Sequence, residues 1–314
     1  MPSVSEFLTV DLPAILAAML ACVACSLVGN FLVLRRQSLM GDAISHAVLP
    51  GIVGAYVLAG VIDAFTMMTG ALVSALVAVM LIELTRRIGR LEPGAAMGTV
   101  FTVMFAIGVV MLEWTGSSNV HLDTQHALFG SLETIIWIGP DGTWDTLTDP
   151  DVLATLPRQI TTLFVVTVLL SFLCLIFFKE LQITTFDPAM AATLGISPTL
   201  VGTGLVLATG VAAVAAFEAV GSILVIAMFI SPPCTARMLT DQLTTQILLT
   251  ALVAAISSII GYLLAAFGPG ILGGQHALNA AGMVAVVAGA FQALAMLFAP
   301  RYGALRRGNG TLIP

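Results

Sequence analysis

Long apolar runs separated by short polar stretches organise this chain. Nine such blocks occupy 12–34, 43–60, 62–84, 94–112, 160–178, 199–217, 219–236, 243–267 and 278–299. A bilayer hydrocarbon core about 30 Å thick is crossed by about 20 helical residues at 1.5 Å each, which is the length of these blocks. Their apolar positions do not alternate, and the blocks run about twice the length of a barrel strand, which argues against a transmembrane β-barrel. The pattern predicts an all-α, polytopic transmembrane helical bundle, a single domain over 1–314 with about nine spans. The stretch 199–236 can be divided differently around Glu218, so eight to ten crossings fit.

Composition agrees with this reading. Of 314 residues 59% are hydrophobic and only 9% are charged, against about a quarter charged in soluble domains. Such a chain cannot cover a globule with a water-compatible surface. The net charge of −6 belongs to the connections and implies no nucleic-acid partner. Cys22, Cys25, Cys174 and Cys234 all fall inside or at the edge of apolar blocks, as small buried thiols do. Residues 1–10 lack a basic region and carry Glu6, unlike a cleavable signal peptide.

Basic residues set the orientation, because short cytoplasmic loops are enriched in Arg and Lys. With nine spans and the N-terminus outside, Arg35, Arg36, Arg86, Arg87, Arg90, Lys179, Arg237, Arg301, Arg306 and Arg307 all fall on the cytoplasmic side. Only Arg158 does not. The C-terminus is then cytoplasmic. An outer loop over about 113–158 is acidic, carrying Asp123, Glu133, Asp141, Asp145, Asp149 and Asp151. Its apolar part, 127–138, is too short to span and is expected to lie along or dip into the outer surface.

Polar residues enter the second block at 41–51. Asp42 and His46 are four apart and share one helix face. A carboxylate and an imidazole so placed can bind one divalent cation such as manganese, iron or zinc. Equally, Asp42 can cap the helix and pair with Arg35 or Arg36 while His46 bonds across helices. Hydropathy puts the pair near the cytoplasmic boundary, as an inner gate, unless the preceding loop dips into the membrane. Pro50 and Gly51 then interrupt the helix, which is tolerated at depth only where backbone lines a cavity or is buried in protein.

Elsewhere the signals are weaker. Glu218 is either an entry ligand for a cation or a solvated turn residue. His121, Asp123 and His126, with His276, are either metal-attracting or simply polar loop residues. The lone lysine, Lys179, follows Phe177-Phe178 without the Gly-rich turn of a P-loop, and nothing resembles a catalytic set. The chain is therefore expected to be no enzyme, and any transport is energised by a partner chain or by an ion gradient.

Four stretches together resemble the permease subunits of manganese-, zinc- and iron-class ABC importers. They are 41–51 (GDAISHAVLPG); Thr185-Phe186-Asp187-Pro188 with Leu194-Gly195-Ile196; 218–228 (EAVGSILVIAM) leading into Ser231-Pro232-Pro233; and Phe298-Ala299-Pro300-Arg301-Tyr302-Gly303. The resemblance implies the membrane subunit of an ATP-driven importer in a bacterial cytoplasmic membrane, moving a divalent metal ion and holding no covalent cofactor. It also implies a cytoplasmic ATPase dimer, an extracytoplasmic metal-binding protein and a second permease, identical or paralogous, all set in membrane lipid. Asp42 and His46 match the family's Asp-x-x-x-His motif of the metal path. The segment 179–199 is similar to the coupling segment that docks on the ATPase, with Phe186, Asp187, Pro188, Leu194 and Gly195 as its marked residues. A short helix capped by Asp187 and opened by Pro188 is expected there. A proton-coupled secondary transporter, and a vitamin or siderophore permease, are the competing readings.

Overall fold

A computed structural model describes residues 4–60, 64–114, 132–139, 149–271 and 278–299. Among them there is no strand. A short turn, Val4–Glu6, and a π-helical stretch, Phe7–Asp11, lead into α1 (Leu12–Leu34). There follow α2 (Met40–Ala47), α3 (Leu49–Ala59), α4 (Ala64–Gly89), α5 (Pro93–Trp114), α6 (Pro150–Leu153), α7 (Arg158–Ile176), α8 (Phe178–Phe186), α9 (Pro188–Thr193), α10 (Pro198–Leu239), α11 (Leu243–Ile271) and α12 (Ala280–Phe298). Taking α2 and α3 as one, eight of the described helices are long and apolar enough to cross a membrane.

The longest of them is not one crossing. Forty-two residues of straight α10 would reach about 63 Å, twice a bilayer core. Gly221, buried at φ 75° and ψ 169°, breaks it in a region of backbone space that essentially only glycine enters. Contacts show that the two arms return to one level. Gly202 adjoins the Arg35 guanidinium, whereas Phe229 lies against Gly29, six residues earlier on α1. Along a straight helix Gly202 and Phe229 would be about 40 Å apart, yet Gly29 and Arg35 are separated by about 9 Å. Similarly, Gly210 faces Ile44 and the Phe229 ring covers Gly41, one helical turn away on α2. The blocks 199–217 and 219–236 are thus two antiparallel arms joined at Gly221, and the described chain crosses the bundle nine times. Residues near Thr9 and near Phe298 end at opposite faces.

The centre is formed by α1 and α10. Small residues of α1, among them Ala14, Ala17, Ala18, Ala21 and Ala24, are fully buried, and small side chains let helices approach closely. A Cβ on Gly29 would run into the Phe229 carbonyl. Pro233, four residues on, has no N–H to offer that carbonyl. Asn30 cross-links α1 to α11: its Oδ1 accepts from Gln246 Nε2 at 3.0 Å and Thr250 Oγ1 at 2.9 Å, and its Nδ2 donates to the Ser26 carbonyl at 3.0 Å. All three side chains are buried, where an unpaired amide would be costly. Cys22 and Cys25 are buried free thiols, and Cys174 and Cys234 are half-buried ones.

Where it is described, the segment between α5 and α6 is held against the start of the chain. A 3₁₀ turn, Leu132–Thr134, precedes Trp137, whose N–H donates to the Thr9 carbonyl at 2.8 Å. Its indole Nε1 donates to Thr155 Oγ1 at 3.0 Å. Trp137 is buried, while Ile136 and Ile138 beside it are exposed.

Candidate functional site

The helix carrying Asp42 and His46 begins inside the bundle. At the end of α1, Arg36 takes a left-handed φ of 58°; its N–H reaches the Val33 carbonyl, and Gln37 N–H reaches Leu32. This is a Schellman turn with arginine where glycine is usual. It sends residues 37–40 back into the bundle, so that Gly41 reaches the same Phe229 that Gly29 touches. From there α2 climbs to the middle. Ser74 Oγ donates to the Ala47 carbonyl at 2.7 Å, and a Cβ at Gly210 would meet Ala75 and Ile44. Ser74, Ala75 and Gly210 each lie near the centre of their own crossings. The loop therefore does dip, and the pair sits half-way through the bundle rather than at its boundary.

Local sequence explains the break above the pair. Gly51 N–H bonds to Val48, one residue short of the helical partner, which leaves the Ala47 carbonyl to Ser74. Pro50 has no N–H, so the His46 carbonyl loses its intrahelical donor. Gly51 and Gly70 allow α3 and α4 to touch backbone to backbone, and Gly108 of α5 abuts Leu49 and Pro50.

His46 Nε2 lies 3.3 Å from Asp42 Oδ1, with the two side chains 32% and 30% exposed. Phe101 and Phe105 wall one side of the imidazole, with ring centroids at 5.8 and 5.4 Å. Neither arginine of the preceding loop is paired with Asp42, whose ion-pair partner is His46. A metal about 2.1 Å from both atoms would subtend an angle of about 100° at that separation, between octahedral and tetrahedral values. Among the described residues no group of three or more His, Cys, Asp or Glu could hold a metal. Among the described residues, Asp42 and His46 are thus a carboxylate–imidazole pair without a third such group beside it.

Glu218 is not part of this pair. It is exposed, three residues before the Gly221 turn, and about 12 Å along the axis from the level of Gly210. His121, Asp123, His126 and His276, with Pro300, Arg301 and Tyr302 of the C-terminal motif, lie outside the described residues.

The segment 179–199 forms the expected short helix. Asp187 Oδ1 accepts from Met190 N–H at 2.9 Å, capping α9, and Pro188 takes its first position. Gly195 at φ 80° closes it, and the N–H groups of Gly195 and Ile196 bond to Ala192 and Ala191. Phe186, Met190 and Leu194, four apart, are 54%, 53% and 60% exposed. Phe186 ends α8 and the other two lie on α9 and at its C-cap, beyond the break at Asp187, at the end of the bundle where Arg35 bonds to Thr184 and Thr185. Sequence reasoning passed over Met190, although its spacing from Phe186 and Leu194 marks it.

Nine crossings around a carboxylate–imidazole pair about one-third exposed define a multi-pass membrane transport protein, since ionisable groups at such depth are costly and usually functional. Residues 8–137 and 150–298 match the family described as the ABC 3 transport family, and the chain belongs to it. It is 41% identical over 294 residues to the zinc transport system membrane protein TroD of Treponema pallidum (strain Nichols), covering 93% of this chain and 75% of that protein. To the manganese transport system membrane protein MntD of Bacillus subtilis (strain 168) it is 36% identical over 307 residues, covering 95% of each. Among solved structures, PsaBC from Streptococcus pneumoniae in complex with Fab superposes with a TM-score of 0.73 at 26% identity, covering 95% of each chain.

Proposed function

We propose that this protein is the permease subunit of an ATP-driven importer that moves a divalent manganese, zinc or iron ion into the bacterial cytoplasm by alternating access. The observation that carries this reading is the Asp42–His46 pair, half-way through the bundle and one-third exposed. A carboxylate at that depth cannot face lipid tails. A second permease, identical or paralogous, covers it, and the ion passes between the two chains. Family membership and the zinc and manganese relatives support the same assignment.

The two faces of the bundle carry the partners. Arg35, Arg86, Arg87, Lys179 and Arg237 gather at the face bearing the exposed Phe186, Met190 and Leu194, which the positive-inside bias makes cytoplasmic. A cytoplasmic ATPase dimer docks on that segment, with Asp187, Pro188 and Gly195 fixing its shape. An extracytoplasmic metal-binding protein delivers the ion to the acidic opposite face, which favours cations electrostatically. Glu218, on that side, is an entry ligand.

Reconstituted vesicles containing permease, ATPase and metal-binding protein test the proposal. Metal uptake is expected to require ATP and to ignore an imposed proton gradient. Uptake that followed the gradient and ignored ATP would instead make Asp42–His46 a proton relay in a secondary transporter.

A further inference from the structure

One arginine touches three of the parts that must move together. Arg35 caps the end of α1, five residues before α2 begins at Met40. Its Nη2 donates to Thr184 Oγ1 at 2.7 Å, and its Nε donates to Thr185 Oγ1 at 3.0 Å. Thr184 Oγ1 in turn donates to the Glu180 carbonyl at 2.6 Å. That hydroxyl thus accepts from Arg35 and donates within α8, and the guanidinium is held by α8 as a planar fork. The remaining nitrogen, Nη1, would stand 3.3 Å from a Cβ added to Gly202, at the start of the first arm of α10.

We propose that Arg35 is the positioning residue that transmits movement of the ATPase-docking segment to the Asp42–His46 pair. This rests on the reading of 179–199 as the docking segment. A displacement of α8 pulls the guanidinium through Thr184 and Thr185, and so pulls the turn that places α2. That turn is short and internally bonded: Gln37 N–H bonds to Leu32, Met40 N–H to Gln37 and Ala43 N–H to Leu39. Such a link shifts as one piece rather than absorbing the motion. Space for the movement exists, because Arg35, Gln37, Met40, Glu83 and Thr199 line a cavity of about 100 Å³. Lysine would keep the charge but not the two-pronged grip.

The test uses the full complex in vesicles and reads metal ions moved per ATP hydrolysed, normalised to assembled complex. Three variants are compared: Arg35→Lys, the double variant Thr184→Val with Thr185→Val, and the double variant Thr184→Ser with Thr185→Ser. Arg35→Lys and the valine pair are expected to keep hydrolysing ATP while transport per ATP falls about tenfold, within the range of allosteric coupling energies. The serine pair, which retains both hydroxyls, is expected to match wild type, and Arg35→Lys combined with the valine pair to be no worse than either alone. An unchanged ratio in Arg35→Lys and the valine pair overturns the proposal. So does failure of both to assemble, which would make the contact purely structural, or a serine pair as poor as the valine pair. If wild type itself shows no ATP-dependent uptake, the importer reading fails instead, which this design separates from a fault in the Arg35 link.

Discussion

Phe229 touches Gly29 through its carbonyl and Gly41 through its ring, fixing the start of α2 about 8 Å inside the end of α1. The depth of Asp42 and His46 follows from this contact. Enlarging either glycine should therefore disturb the site as well as the packing. Gly29→Ala places a methyl group against backbone that cannot step aside, and a loss of about 1–3 kcal/mol is expected. Gly98→Ala and Gly204→Ala, where a Cβ meets nothing within 4 Å, should be neutral. Thermal unfolding in detergent compares the three.

Gly221 carries the fold-back of α10. At φ 75° and ψ 169° any other residue is strained by about 1–3 kcal/mol. Gly221→Ala is expected to lower the thermal midpoint and the yield of assembled complex. Wild-type stability in that variant would mean that the turn does not take this conformation.

The antiparallel arms also make a topological prediction. Cysteines introduced at Thr199 and Thr240, 41 positions apart, should react with a membrane-impermeant thiol reagent from one face. A cysteine at Glu218 should react from the other. The half-buried native thiols Cys174 and Cys234 serve as the background to subtract. Labelling of Thr199 and Thr240 from opposite faces would require α10 to be a single crossing.

Much of this was legible in the apolar pattern. Block lengths give the helices, and the Arg and Lys distribution favours nine crossings over eight or ten, in keeping with the fold-back at Gly221. The Asp187-Pro188 pair signals a capped helix because both residues act through backbone geometry local to them. The depth of Asp42 was not legible. Hydropathy places a residue by its neighbours in sequence, whereas residues 37–40 are drawn inward by the Arg36 turn and by the space that Gly29 and Gly41 leave for Phe229. Nor could sequence pair Arg35 with Thr184, or Asn30 with Gln246, since contacts between residues about 150 or more apart have no local pattern.

The Asn30 cluster gives one further expectation. Asn30→Leu removes the acceptor for both Gln246 and Thr250 in a dry core, and burying those groups without a partner should cost about 1–3 kcal/mol. Thermal unfolding should register the loss, and Gln246→Leu added to it should recover part, since the orphaned Gln246 amide is then gone and only the Thr250 hydroxyl has lost its acceptor.

Asp42 and His46 are proposed to form the metal path. Metal uptake by the complete reconstituted complex carrying Asp42→Asn or His46→Gln tests it most directly, with assembly and basal ATP hydrolysis measured alongside. Each substitution keeps the approximate size of the side chain while weakening its ligand. Uptake is expected to fall at least about tenfold in both, as loss of a ligand should cost no less than loss of a supporting contact. Wild-type uptake by both variants in an assembled complex would contradict the account.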